Sequence, residues 1–269
     1  EVQVNPLRST VEDMQREMGK SQILAVPHAF VPGCLELVGA GDLKALPAFQ
    51  AGKFYVQDPA GRLAVLAADI QSGQRVMDVC AAPGGKTGCL AEMMGGTGRV
   101  QAWDIHEHRV ELISAQARRL GLENVRPIIR DATKLREDLR MSMDAVLLDA
   151  PCSGLGVLAE KPDLKLRVTE ESGDALTKLQ SILLDTVCQY VRPGGTLVYS
   201  TCSILKEENE ERISSFLERH PEFEAIPLPE TIPEKYRRYE RLGLQLLEER
   251  DGVEGFYISR LRRKDERFT

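Results

Sequence analysis

The sequence predicts an α/β protein: a mostly parallel seven-stranded sheet covered by helices on both faces, preceded by a small α+β module. Three observations carry this expectation. From about Ala51 onward, short apolar runs alternate with longer stretches of helical periodicity, the rhythm of parallel strands joined by helices. Three consecutive strand-like runs end in an acidic or glycine-rich turn. Two later runs end in a turn that carries a cysteine.

Residues 1–50 read as a separate module. Val2-Gln3-Val4-Asn5 alternates like a strand and meets Pro6. Thr10 to Met18 has a helical pattern, with Thr10 placed to cap it and Gly19 to stop it. His28 to Leu46 breaks into short apolar pieces at Pro32, Gly33, Gly39 and Gly41. The module opens directly in a strand, so an incomplete unit is expected. The second domain, 51–269, starts with a helical stretch from Pro59 to Asp69. Strands are then expected at Arg75–Cys80, Arg99–Asp104, Val125–Ile129, Met143–Asp149, Thr196–Ser200, Leu244–Leu247 and Gly255–Ser259. Helices are expected at Lys86–Met94, His106–Leu120, Thr177–Val191 and Asn209–Arg219.

Composition narrows the class. The chain has 269 residues, 42% hydrophobic and 28% charged, as in an ordinary globular protein. No apolar run is long enough to span a bilayer and no basic-then-apolar leader opens the chain, so a cytoplasmic protein is expected. The six cysteines form no CxxC pair, which argues against a zinc site or a disulfide framework and for reduced thiols. The net charge of -6 is not that of a general phosphate binder. Local basic clusters at Arg118/Arg119, Lys161/Lys165/Arg167, Lys235/Arg237/Arg238/Arg241 and Arg260/Arg262/Arg263/Lys264 are read first as solvated faces.

In a parallel sheet, ligands bind beyond the carboxyl ends of the strands. The first such end is Asp78-Val79-Cys80-Ala81-Ala82-Pro83-Gly84-Gly85-Lys86-Thr87, the second Asp104 and the third Asp131. This layout suits an adenosyl cofactor. Small residues let the backbone approach the ligand, Asp104 can accept from ribose hydroxyls, and Asp131 can reach the adenine amine. A nucleotide-triphosphate loop fits poorly, because Cys80 stands where the phosphate-loop pattern needs glycine and Pro83 removes a backbone donor. A nicotinamide site would need GxGxxG, which is absent from this turn.

The cysteine turns are Asp149-Ala150-Pro151-Cys152-Ser153-Gly154 and Ser200-Thr201-Cys202-Ser203. Cys34, Cys89 and Cys188 fit the plain reading of cysteine as a small buried hydrophobe. Cys152 and Cys202 instead follow strands and sit in polar turns where a thiolate can be reached. A thiolate added to carbon 6 of cytosine makes carbon 5 nucleophilic enough to take a methyl group from a sulfonium. Asp149 is placed to hold the base edge as charge develops. The base has to leave its stack to be reached. Residue chemistry alone does not choose between the two cysteines.

These segments, with Phe54 to Pro59, Lys161-Pro162-Asp163 and Glu208-Asn209-Glu210, resemble the bacterial Fmu/Sun and eukaryotic NOL1/NOP2/Sun family of RNA cytosine-5 methyltransferases over about residues 50 to 262. Within it the chain is most similar to the bacterial branch acting on small-subunit ribosomal RNA. The resemblance implies the Rossmann-like methyltransferase fold, with residues 1–50 as an RNA-recognition-like module. It implies S-adenosylmethionine held or flanked by Cys80, Ala81, Ala82, Pro83, Gly84, Gly85, Lys86, Asp104, Arg109, Asp131 and Asp149. It makes Cys202 the nucleophile and Cys152 the residue that assists product release. The implied partner is 16S ribosomal RNA, with a monomeric enzyme and no metal or membrane. Two other readings compete: a non-catalytic RNA-binding factor in ribosome assembly, and a DNA cytosine-5 methyltransferase, which would attack through Cys152.

Overall fold

The computed structural model describes residues 1–157, 170–238 and 242–265. The expected sites Lys161-Pro162-Asp163, Lys165, Arg167 and Arg241 lie outside them.

The N-terminal module is built on β1 (Val2–Val4), α1 (Val11–Lys20), β2 (Leu24–Pro27), β3 (Cys34–Val38), α2 (Pro47–Gln50) and β4 (Phe54–Val56). Its antiparallel sheet has the order β2-β3-β1-β4. Thr10 caps α1, its hydroxyl accepting from Asp13 N at 3.1 Å. Met14 and Met18, one turn apart, bury against Val2, Val4, Leu35 and Phe54. The helix passes through Gly19 to Lys20, so the expected stop comes a residue late. Phe54–Val56 pairs with β1, so the small sheet takes its fourth strand from beyond the boundary expected at residue 50.

The large sheet carries β5 (Arg75–Val79), β6 (Arg99–Asp104), β7 (Val125–Ile129), β8 (Met143–Asp149), β9 (Val191–Thr201), β10 (Phe223–Ala225), β11 (Leu244–Leu246) and β12 (Phe256–Arg263). The helices are α3 (Pro59–Leu66), α4 (Gly85–Met93), α5 (Glu107–Leu120), α6 (Glu170–Val187), α7 (Glu210–Arg219) and α8 (Glu248–Asp251). The order is β10-β12-β9-β8-β5-β6-β7, with β11 also on β12. Neighbours from β7 through β9 are parallel, and β12 runs antiparallel to β9. Burial on both faces explains the nearly continuous apolar strands. Along β5, Val76 enters the core formed with α3, α4 and α5, while Met77 and Val79 enter the core under α6 and α7. In α5, Val110, Ile113, Ala117 and Leu120 make the buried stripe, and Gly121 ends the helix at φ +75, a conformation suited to glycine.

The described residues give eight strands where seven were expected; Phe223–Ala225 is too short to read from periodicity. β9 also starts earlier than Thr196. Pro193-Gly194-Gly195 has the composition of a turn, but the strand takes up these residues as a register shift: Met143 faces Val191 while Ala145 faces Thr196. Arg119, from the first basic cluster, donates to the carbonyls of Phe49 and Phe54 at 2.7 and 2.9 Å and stacks 3.7 Å from the Phe49 ring centroid. It ties the small module to α5.

Candidate active site

Strand order reverses at β5: the chain steps outward to β6 and β7, then returns to lay β8 on the other side of β5. Such a switch leaves a crevice at the carboxyl ends of β5 and β8. A cleft of about 370 Å³ opens there, lined by Cys80, Ala81, Ala82, Pro83, Gly85, Lys86 and Asp149 from the expected set. Val56, Gln57, Asp58, Asp78, Glu1 and Glu254 complete its lining. Five of these residues are acidic and one, Lys86, is basic. With its one basic side chain paired to Asp149, this lining disfavours a triphosphate.

The turn after β5 is tightly shaped. Cys80 sits at φ +61 and Gly84 at φ +105, and Ala81 N donates to Trp103 O at 2.9 Å. Gly84, at φ +105, lies beyond the narrow left-handed region near +60 that Cys80 occupies, so its backbone calls for glycine. Asp78 is fully buried, and burial pushes its carboxyl up to about 7 against the opposing pull of the Thr87 hydroxyl, 2.5 Å away, and of Lys86. Burial also pushes the Cys80 thiol up to about 12, which leaves it inert.

Asp104 ends β6 with its side chain 2% exposed. Its Oδ1 accepts from His106 N at 3.2 Å, while Oδ2 has no hydrogen bond and lies 3.4 Å from Arg109 Nη1. Arg109 also donates to Ala82 O at 3.4 Å, which links Asp104 to the cleft turn. A buried carboxylate oxygen short of a donor is what a ribose hydroxyl would satisfy, so the residues present fit an adenosyl group. Asp131, just beyond β7, bonds its own Thr133 through N at 3.0 Å and Oγ1 at 2.6 Å, which hold its carboxyl below the usual range. It lies outside the lining of the cleft, as do Gly84, Asp104 and Arg109.

The cysteine turns meet because β8 and β9 are parallel neighbours in a register that sets Asp149 opposite Ser200. Cys152 Sγ and Cys202 Sγ come within 3.2 Å. Asp149 is clamped on both oxygens: Lys86 Nζ donates to Oδ2 at 2.7 Å and Ser200 Oγ to Oδ1 at 2.8 Å. Each oxygen keeps a further lone pair. The Cys152 S–H holds the Cys202 thiol below its usual range, helped by Lys86 and opposed by burial and Asp149. The same contact, with burial, pushes Cys152 up. The contact thus favours loss of a proton from Cys202 over loss from Cys152.

Residues 65–262 match the family described as 16S rRNA methyltransferase RsmB/F. The chain belongs to the RsmB/F family. A probable ribosomal RNA small subunit methyltransferase B from Bacillus subtilis is 36% identical over 98% of this chain and 59% of its own length. Ribosomal RNA small subunit methyltransferase F from Escherichia fergusonii is 35% identical over 97% of this chain and 56% of its own. The chain spans less than two thirds of these relatives, and the B and F types match it at similar identity. A solved methyltransferase homolog protein from Pyrococcus horikoshii superposes with a TM-score of 0.80 at 28% identity, over 97% of this chain and 85% of that one.

Within the RsmB/F chain, the other cysteines behave as expected of buried hydrophobes. Cys34, Cys89 and Cys188 are buried, and burial pushes each thiol up to about 12. All six cysteines are free. Among the described residues no three His, Cys, Asp or Glu side chains gather as a metal site, and no helix is long and apolar enough to cross a membrane. Sequence reasoning passed over Gln57 and Asp58 as cleft residues. The signal was present: Asp58 precedes Pro59 and caps α3, accepting from Ala60 N at 2.5 Å and Gly61 N at 3.1 Å.

Proposed function

We propose that this chain transfers a methyl group from S-adenosylmethionine to carbon 5 of a cytosine in 16S ribosomal RNA, through a covalent bond between Cys202 and carbon 6. The observation that carries the reading is the pair of thiols 3.2 Å apart beside the Asp149–Lys86 ion pair. Family membership supports the ribosomal RNA substrate. When bound, S-adenosylmethionine supplies an electrophilic methyl group on a sulfonium. The turn from Cys80 to Lys86 would cradle it, with Asp104 on the ribose, Arg109 and Asp131 nearby, and Asp149 at its reacting end.

Cys202, held as thiolate by the Cys152 S–H, bonds to carbon 6 and sends an electron pair toward carbon 5. Asp149 takes the exocyclic amine of the cytosine on a remaining lone pair and stabilises the base as charge builds. Its clamps at Lys86 and Ser200 fix it before the base arrives. Once the new carbon–carbon bond exists, the proton on carbon 5 leaves to solvent and the carbon 6–Sγ bond breaks. Its electron pair returns to Cys202. Cys152 restores its hydrogen bond to the departing thiolate, which assists release. Residues 1–50 would contribute RNA contacts, and six free thiols suit the reducing cytoplasm.

Methyl-labelled S-adenosylmethionine and unmodified small-subunit ribosomal RNA test the reading. Digestion to nucleosides should place the label in 5-methylcytidine, and Cys202→Ala should abolish it. A Cys202→Ala protein that keeps activity while Cys152→Ala loses it would support attack by Cys152 instead. Failure to bind the cofactor at all would sink the enzyme reading.

A further inference from the structure

The Glu208-Asn209 pair stands out because the chemistry above does not use it, yet both residues are only 1% exposed. Burying a carboxylate is costly unless its oxygens are satisfied. Glu208 is satisfied by the turn that carries Cys152. Its Oε1 accepts from Ser153 N at 2.9 Å and its Oε2 from Ser153 Oγ at 2.6 Å. Gln180 of α6 donates to Oε1 at 3.1 Å and, with the same amide, to Pro151 O at 2.9 Å. Both neighbours of Cys152, Pro151 and Ser153, are thus held on Glu208, one directly and one through Gln180.

Asn209 treats Cys202 in the same way. Its Oδ1 accepts from Thr201 Oγ1 at 2.6 Å and its Nδ2 donates to Ser203 O at 2.9 Å. These are the two neighbours of Cys202. Gln245 of β11 braces the amide, accepting from Nδ2 at 2.8 Å. A hydrogen bond between Ser153 Oγ and Ser203 Oγ at 3.1 Å joins the brackets. The main chain of Glu208 is fixed too, its carbonyl accepting from Tyr199 OH of β9 at 2.7 Å.

We propose that Glu208 and Asn209 are positioning residues that set the distance between the two thiols: one grips the turn of Cys152, the next grips the turn of Cys202, and the peptide bond between them fixes the spacing. Sequence adjacency turns two separate loops into one rigid part. The contact between the two sulfurs depends on their separation, so a displacement of about 1 Å would weaken it while leaving the fold intact. The proposal rests on the covalent reading for the use of the thiols, but it concerns only their spacing and is tested without methylation.

The probe is iodoacetamide. Alkylation of Cys202 is followed by mass spectrometry against pH in the whole protein, alongside Glu208→Gln, Cys152→Ala and the double variant. Gln keeps the shape of Glu but replaces one acceptor oxygen with a donor facing Ser153. The Glu208→Gln profile should move to higher pH, with alkylation near neutrality slowed several-fold. In the Cys152→Ala background, the same substitution should add nothing, because the hydrogen bond it disturbs is already gone. A general loosening of the fold would instead shift Cys202 equally in both backgrounds, and that result, or an unmoved profile in Glu208→Gln, overturns the proposal. Should Glu208→Gln fail to fold, Ser153→Ala removes the two hydrogen bonds of its Oγ, to Glu208 Oε2 and to Ser203 Oγ, and should give a shift in the same direction. A shift that vanishes without Cys152, in a protein that methylates nothing, would uphold the bracket while removing the function proposed above.

Discussion

Replacing Cys152 with alanine should do two opposite things to the covalent adduct: slow its formation and prolong its life. The contact with Cys152, 3.2 Å away, is the chief cause holding the Cys202 thiol below its usual range, with Lys86 assisting, while burial and Asp149 oppose it. A hydrogen bond to a charged group is worth about 1.5–3 kcal/mol, and a thiol is a weak donor, so the lower figure applies. That is about a tenfold loss of thiolate at neutral pH. Because the bond lowers the Cys202 pKa, its removal moves the alkylation profile of Cys202 to higher pH. Rates near pH 7 should fall about tenfold and converge with the wild type in alkaline solution. With RNA and cofactor supplied, the slowly formed adduct should nevertheless accumulate, because the departing thiolate has lost its donor. It should survive denaturing electrophoresis and be absent from Cys152→Ala/Cys202→Ala. An unchanged alkylation profile would refute the thiol–thiolate argument. A shifted profile with no trapped adduct would refute the role in release.

Three further outcomes follow from the geometry. Asp104→Asn replaces a buried carboxylate whose Oδ2 lacks a hydrogen bond; calorimetry with S-adenosylhomocysteine should show affinity weakened about ten- to a hundredfold, the loss of one or two charged hydrogen bonds, and unchanged affinity would remove Asp104 from the cofactor site. Asp78, pushed by burial to about 7, keeps its proton longer in the folded than in the unfolded chain, so its contribution to stability is present in acid and is lost as pH rises toward 7. Asp78→Asn cannot ionise, and its melting temperature should therefore gain on the wild type between pH 5 and pH 8; a constant difference across that range would contradict the buried-charge argument. At Gly156 an added Cβ would stand 1.9 Å from Gly255 O and 2.9 Å from Cys202 O, both backbone atoms. Gly156→Ala should force the Cys152 turn away from Cys202 and lower stability by about 3 kcal/mol, read by urea denaturation; a variant as stable as the wild type would show that this packing yields.

Much of the site was legible before any fold was known. Asp104 and Asp149 mark strand ends because an acid that closes an apolar run is a local signal. The glycine turn and the two cysteine turns stand out for the same reason. Three things were not legible. Phe223–Ala225 is a strand only because β12 offers it an edge, and three residues carry no period of their own. Pro193-Gly194-Gly195 has turn composition but lies within β9, because the sheet accommodates the extra residues as a bulge. Arg119 reads as part of a basic surface, yet its guanidinium is used by the carbonyls of Phe49 and Phe54.

The sequence by itself determined the alternating fold, the turn that faces the cleft and the two cysteine turns as candidates for reaction, since these follow from local period, backbone permissiveness and side-chain chemistry. Only the tertiary structure decided how they relate. It set β8 beside both β5 and β9, which joins Lys86 to Asp149 across 63 positions and brings Cys152 to Cys202 across 50. It also gave Glu208 and Asn209 their partners. Hydrogen bonds and thiol pairs depend on tenths of an ångström between residues far apart in the chain, and strand order and register, set by burial on both faces of the sheet, fix those distances.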